Sequence, residues 1–369
     1  MARGIGWSLA AALGVAAVGF PCIALVGCGG PKADYKYRIA VIPKGLTHEH
    51  WQSVHRGADR AAADLKEQGI NVEVIWDGPR TEGDAQAQIG IVDKHVANRV
   101  SGIVIAPQHS ETMVAPLQRA ADKNISVVLI DSDLNNKDLY IKYVATNNYN
   151  GGRLAAERLL QVLREQGKPA PRLIMLRYEI GSESTEQREK GFEDVIEAAV
   201  AEQKRKGEPT ITWLDKEHYA HDTADKALKE ALPLLNQYRK EGDDVGIDGV
   251  FAPNESSAMG VLKAMESLKL NKKVRLVGFD SSPPLLQAVK DGDVDGLVLQ
   301  DPYRMGYLGV WNLVQHLEGY NVAPDGKKEQ STGEYLITRA NVDEQRTREL
   351  FDAALQARRK IETPTYPKK

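Results

Sequence analysis

Four β-rich runs end in side chains suited to hydrogen bonding with a polar, uncharged partner. Ile130 is followed by Asp131-Ser132-Asp133, Phe251-Ala252-Pro253 by Asn254-Glu255-Ser256, Gly278-Phe279 by Asp280, and Leu299 by Gln300-Asp301. Carboxylates and amides are planar groups that give directional, often charge-assisted hydrogen bonds. The carboxyl ends of parallel strands are where open α/β sheets take their ligands. Taken singly, each of these residues also suits a helix N-cap, where a short polar side chain satisfies free backbone N–H groups. The four together form a pattern that capping alone does not require.

His48, His50 and His55 cluster after the first β-rich run. Histidines two apart could bind a transition metal if His218 or His221 supplied a further ligand. They equally suit the polar wall of a pocket, and the indole of Trp51 beside them fits such a wall better than a metal cage. Asp291-Gly292-Asp293-Val294-Asp295-Gly296 opens like a calcium loop, but its twelfth position is Pro302, where a bidentate Glu is needed. It reads as a polar turn. The chain has no P-loop, nucleophile elbow, zincin motif or dinucleotide fingerprint, which weighs against an enzyme.

The elements that must position these residues alternate. Strand candidates are 37–42, 71–76, 102–106, 126–130 and 140–145, then 172–176, 210–214, 248–252, 274–279, 296–300 and 334–338. Unbroken apolar runs such as Val127-Val128-Leu129-Ile130 suit parallel strands buried on both faces. Helical patterns lie between them, at 49–65, 83–96, 111–121, 151–163, 185–201, 222–235, 256–268 and 302–317; in the first, Trp51, Val54, Ala58, Ala61 and Leu65 recur at three and four. The alternation predicts an α/β fold with parallel sheets and right-handed crossovers. Eleven strands suit two sheets of five or six, and the absence of a Pro/Ser-rich linker predicts two interleaved lobes with several short crossings. Residues 341–369 read as one charged helix and a peripheral tail.

The 369 residues include 48 Lys and Arg against 51 Asp and Glu, a net charge of −3. No global basic field points to nucleic acid. The only cysteines are Cys22 and Cys28, so no disulfide scaffold or cysteine metal cluster is available to the rest. Arg3 precedes an uncharged run from Gly4 to Gly30, the pattern of an export signal. A retained anchor helix has the same length requirement. Leu25-Val26-Gly27-Cys28 resembles a bacterial lipobox, which implies cleavage before Cys28 and its lipidation. With Arg3 removed the balance is 47 basic to 51 acidic residues.

These residues carry a family resemblance. Ile39-Ala40-Val41-Ile42-Pro43 with His48-Glu49-His50-Trp51, Val128-Leu129-Ile130-Asp131, Thr146-Asn147-Asn148-Tyr149-Asn150-Gly151-Gly152, Gln187-Arg188-Glu189-Lys190-Gly191-Phe192, Val250-Phe251-Ala252-Pro253-Asn254 and Leu276-Val277-Gly278-Phe279-Asp280 follow in kept order and spacing. From about Tyr37 to Thr338 the chain resembles periplasmic sugar-binding proteins of the ribose-binding type. The resemblance implies a type I periplasmic binding protein: two Rossmann-like lobes with parallel sheets joined by three crossover segments. It divides the chain into a signal (1–27), a tether (28–36), an N-terminal lobe (37–146 with 301–333), a C-terminal lobe (147–300 with 334–342) and a C-terminal helix and tail (343–369). Carried over residue by residue, it makes Asp131, Asn148, Arg188, Asn254, Asp280 and Gln300 contacts to sugar hydroxyls. It places His48, His50 and Trp51 on the polar and stacking segment, and His221 where the family often has an aromatic. Ser132 stands where ribose binders carry an Arg, so the resemblance does not single out ribose, and the expected ligand is a monosaccharide or polyol.

The expected role is a monomeric solute-binding lipoprotein, in the periplasm or at the cell surface. It would be held to a membrane at Cys28 and deliver its sugar to an ABC importer permease, with no catalysis, cofactor, metal or nucleic acid. Competing readings are a sugar sensor for a membrane signalling partner, a histidine-based metal carrier on His48, His50, His55 and His221, and a glycosidase using Asp131 and Asp280. A sugar-responsive repressor would need an N-terminal helix-turn-helix where this chain has its apolar run.

Overall fold

The computed structural model describes residues 34–369; the expected export signal, the lipobox-like segment with Cys28 and the first part of the expected tether lie outside the described residues. The first lobe opens with β1 (Tyr37–Ile42), α1 (Glu49–Glu67), β2 (Val72–Trp76), α2 (Ala85–Ala97), β3 (Gly102–Ile105), α3 (Val114–Asp122), β4 (Ser126–Ile130) and β5 (Lys142–Ala145). The second follows as α4 (Asn148–Glu165), β6 (Arg172–Arg177), α5 (Glu183–Lys206), β7 (Thr212–Tyr219), α6 (Ala224–Tyr238), β8 (Gly249–Phe251), α7 (Glu255–Leu268), β9 (Arg275–Phe279), α8 (Pro283–Asp291) and β10 (Gly296–Leu299). The chain returns to the first lobe with α9 (Pro302–Leu317) and β11 (Glu329–Ser331), then crosses back for β12 (Tyr335–Ile337). Two short helices end it, α10 (Gln345–Arg348) and α11 (Ala353–Arg358).

Each lobe is a six-stranded sheet covered by helices, ordered β11-β5-β4-β3-β1-β2 in the first and β12-β10-β9-β8-β6-β7 in the second. All pairs are parallel except β10–β12. The expected α/β architecture of two parallel-dominated lobes is therefore the observed one. Every residue of β3 and β10 is buried, which is why these strands read as unbroken apolar runs. β11 has no sequence signature: Glu329-Gln330-Ser331 is polar and joins the sheet only through its register with Tyr143, Val144 and Ala145 of β5.

The single charged helix expected after Asn341 is corrected to α10 and α11 with extended chain beyond. Leu350 and Phe351 pack with the core of the second lobe, and Asp352 then restarts a helix by accepting hydrogen bonds from the Ala354 and Leu355 amides. From there the tail lies on the first lobe. Arg56 donates to Gln356 at 3.0 Å, Arg359 pairs with Asp301 at 2.5 Å, and Tyr366 donates to Asn312 at 2.8 Å. The tail is thus a fourth passage between the lobes, beyond the three that the resemblance implies.

Candidate functional site

The site is built on two aspartates, one from each lobe. Asp131 follows β4 and Asp280 follows β9, and both adopt positive φ, 63° and 64°. A residue with a Cβ pays on the order of 1–2 kcal/mol for that left-handed conformation, and such strain gathers at ligand sites. The turn aims each carboxylate out of its strand toward a shared pair of basic side chains. His50 Nε2 lies 3.5 Å from Asp131 and its Nδ1 3.9 Å from Asp280. Arg188 Nη1 lies 3.5 Å from Asp280 and Nη2 4.0 Å from Asp131. Gln300 donates to Asp280 at 2.6 Å.

Arg188 is 2% exposed, and its surroundings fix it in place. Its Nε donates to Asn148 Oδ1 at 2.9 Å, its Nη1 to the Pro253 carbonyl at 3.0 Å, and the guanidinium lies 4.0 Å from the centre of the Phe279 ring. The helix that carries it, α5, sits so close to α4 that a Cβ at Gly152 would fall 1.9 Å from the Arg188 carbonyl oxygen. The Gly151-Gly152 pair is therefore a close-approach requirement that lets α4 and α5 set the position of Arg188.

A second layer joins the lobes directly. Lys44, just past β1, is 4% exposed. It contacts Asp131 at 2.8 Å and donates to Ser132 at 2.6 Å and, across the cleft, to Ser184 at 3.0 Å. Glu82 of the first lobe accepts from Trp51 Nε1 at 2.5 Å and from Tyr178 of the second lobe at 2.6 Å, and lies 3.1 Å from His48 Nδ1. Backbone bonds add to this: Ser110 N–H donates to the Gly181 carbonyl at 3.1 Å, and Asp133 N–H donates to Glu183 at 3.0 Å.

Charge inside the cleft is paired rather than diluted by water. Burial opposes ionisation of Asp131, but Lys44, His50 and Arg188 outweigh it and hold the carboxyl below its usual range. Burial likewise opposes charge on His48, yet Glu82, with help from Glu255 and Asp280, raises it to about 9. Glu82 is held low against its own burial by His48 and Lys44. His50 is pushed down by burial despite Asp131 and Asp280. Glu255 is pushed up to about 7, by burial and by the charges of Asp280 and Glu82, with His48 opposing.

Of the residues singled out from sequence, His48, His50, Trp51, Asp131, Arg188, Asn254, Asp280 and Gln300 line one cavity. Asn254 does so while also capping α7, its Oδ1 accepting from the Ser257 amide at 3.1 Å, so the capping and lining readings both hold there. Asn148 stands behind Arg188 rather than on the cavity wall; its Nδ2 donates to the Asp131 carbonyl at 3.3 Å. His221 is corrected. Its side chain is exposed, its backbone sits at φ 64° between β7 and α6, and the ring on this side of the cleft is Tyr178, fixed by Glu82. The histidines are dispersed among different partners: His55 stacks on Trp76 at 4.4 Å and His218 faces Glu230 at 3.2 Å. Among the described residues no three His, Cys, Asp or Glu side chains are placed to hold a metal.

Sequence reasoning missed Lys44, Glu82, Tyr178 and Ser184, which also line the cavity. Lys44 and Tyr178 follow the ends of β1 and β6, so the strand-end rule applied to those two strands would have found them. Glu82 lies six residues beyond β2 in a loop, with no local signal.

The cavity is a narrow polar cleft between the two lobes. Its walls offer hydrogen-bond donors and acceptors from both lobes and an indole edge.

A family model described as a periplasmic binding protein domain matches residues 39–321. The D-ribose/D-allose-binding protein of Pseudomonas aeruginosa is 26% identical over 289 residues, 77% of this chain and 83% of that protein. A carbohydrate transporter solute binding protein from Agrobacterium radiobacter, solved in complex with D-arabinose, is 31% identical with a TM-score of 0.73, covering 86% of this chain and 99% of that one. An ABC transporter solute binding protein from Agrobacterium vitis with bound D-fucose is 28% identical with a TM-score of 0.73, covering 85% of this chain and 99% of that one.

Proposed function

Because the chain belongs to the periplasmic binding protein family, we propose that it binds a monosaccharide or polyol between its two lobes and delivers it to an ABC importer, as a lipoprotein anchored outside the cytoplasm at Cys28. The observation that carries this reading is the arrangement of Asp131 and Asp280, one from each lobe, around Arg188 and His50. Sugar hydroxyls donate and accept at once, and a buried set of carboxylates, guanidinium and amide meets both demands. The Trp51 indole offers an apolar surface to the C–H face of a ring. Such a site rejects analogues lacking a hydroxyl, because its buried polar groups would go unpaired.

The cross-lobe bonds of Lys44 and Glu82 suit a closed form that presents one continuous surface to a permease. The names of the relatives support both sugar binding and importer partnership. No catalysis is involved. No helix among the described residues is long and apolar enough to cross a membrane.

The test is a thermal-shift screen of the purified protein against pentoses, hexoses, deoxysugars and inositols, with zinc in parallel. A sugar present at a hundred times its Kd stabilises by about 2.7 kcal/mol, a clear rise in Tm. A response to zinc alone, or to no sugar, refutes the reading.

A further inference from the structure

The monosaccharide cavity has a neighbour. Ser53 and Arg56 of α1, Ser282 just before α8, Leu286 of α8, and Leu350 and Phe351 of the tail line a second chamber. His50, Asp280 and Gln300 line both spaces and form the wall between them.

Three features mark this chamber as built for a ligand rather than as a packing gap. First, its polar groups are unspent. Ser53 is 4% exposed, Ser282 8% and Gln300 3%, yet Ser53 Oγ, Ser282 Oγ and Gln300 Oε1 have no hydrogen-bond partner in the protein, and neither does His50 Nε2. Buried polar atoms are nearly always paired, so several orphans around one space call for a partner. Second, Leu286, Leu299, Leu350 and Phe351 give the chamber an apolar side, facing the polar Glu49, Arg56, Asp280 and Ser281. Apolar walls with a few convergent polar groups are the usual composition of a small-molecule site. Third, the dividing wall is open on its His50 side: Gln300 donates to Asp280 at 2.6 Å, but His50 does not reach it. His50 Nδ1 is 3.9 Å from Asp280, beyond hydrogen-bonding distance.

We infer that the ligand is a glycosidically substituted sugar: its polyol ring occupies the cavity between Asp131 and Asp280, and a second, partly apolar moiety passes His50, Asp280 and Gln300 into the chamber beneath Leu350 and Phe351. This rests on the sugar-binding reading and extends it. The chamber adjoins the first cavity across His50, Asp280 and Gln300 and adds space and unpaired groups for an aglycone or a second ring. The tail contributes part of the chamber's cover, which gives the fourth passage between the lobes a role in recognition.

The experiment is calorimetry on the wild-type protein and on Leu286→Trp, which fills the chamber. D-ribose, D-arabinose, D-fucose and D-allose are titrated as free sugars and as their methyl and phenyl glycosides. At least one glycoside is expected to bind the wild type about tenfold or more tightly than its free sugar, the gain typical of a few added apolar groups in a pocket. Leu286→Trp should erase that advantage and leave the free sugar's affinity unchanged. Phe351→Ala, which opens the chamber without crowding it, should lower affinity for the glycoside alone. Free sugars that bind at least as tightly as every glycoside overturn the inference while the sugar-binding reading stands; so does a Leu286→Trp variant that weakens both equally. If neither free sugars nor glycosides bind, both readings fall.

Discussion

Replacing Glu82 with Gln tests the electrostatics of the cleft most directly, because one carboxylate serves His48, Trp51 and Tyr178. The amide keeps the shape and one acceptor oxygen, turns the other into an NH2 donor, and removes the charge. In the wild type His48 is raised from 6.5 to about 9: burial opposes its charge, and Glu82 overcomes that burial, with Glu255 and Asp280 contributing less. Without Glu82, burial prevails and the imidazole should titrate near or below its ordinary value, a fall of about two units or more.

The sign of the stability effect follows. A histidine whose folded pKa is raised contributes stability that is complete below its unfolded value of 6.5 and is lost as pH rises through about 9. At 1.36 kcal/mol per unit the loss is about 3 kcal/mol at most. Glu255 acts in a lower window. Pushed up to about 7, it contributes stability that is present below its unfolded pKa and lost as pH rises through about 7. Between pH 7.5 and 9.5 the decline therefore belongs mainly to His48. Ring resonances of labelled histidine followed by NMR from pH 5 to 10 report the titration, and urea midpoints at pH 7.5 and 9.5 report the stability. Glu82→Gln should flatten the difference between those midpoints. A wild-type His48 that titrates below pH 7, or one that titrates identically in the variant, refutes the pairing.

Two further outcomes are expected. Asp280→Ala and Arg188→Ala should each abolish sugar binding in calorimetry; Arg188→Ala should also cost about 3–5 kcal/mol in urea unfolding, because it takes the guanidinium away from buried Asp280, and unchanged affinity in either variant refutes the site. Cys28→Ser should end incorporation of a palmitate analogue in cells, and a variant that is still labelled refutes lipidation at that residue.

Much of the fold was legible because its strands are buried on both faces. Val127 to Ile130 is an apolar run for the same reason that β4 sits in the middle of its sheet. What escaped were elements whose identity is set by distant partners. β11 is three polar residues that become a strand only beside β5, almost 190 residues earlier. α8 begins Pro283-Pro284, which reads as a turn until the prolines are seen to occupy the first helical positions, where a missing N–H costs nothing. The tail has charged-helix periodicity, but Leu350 is buried in one lobe and Ile361 packs against the core of the other; a single straight helix cannot serve both.

The site divides along the same line. Asp131, Asp280, Asn254 and Gln300 were legible because a strand end is a local feature and a polar residue there is conspicuous after an apolar run. Glu82 and Tyr178 are 96 residues apart, and Lys44 and Ser184 are 140 apart; each pair exists only when two lobes meet. Their burial is a product of that meeting. Lys44 is charged and 4% exposed, a placement that would be prohibitive without Asp131, Ser132 and Ser184 around it. Removing any one of those partners leaves part of a buried ammonium unsatisfied, so these residues act as a set: they favour the joined lobes only while all are present. A sequence read one element at a time contains the members of that set but not the geometry that makes them interdependent.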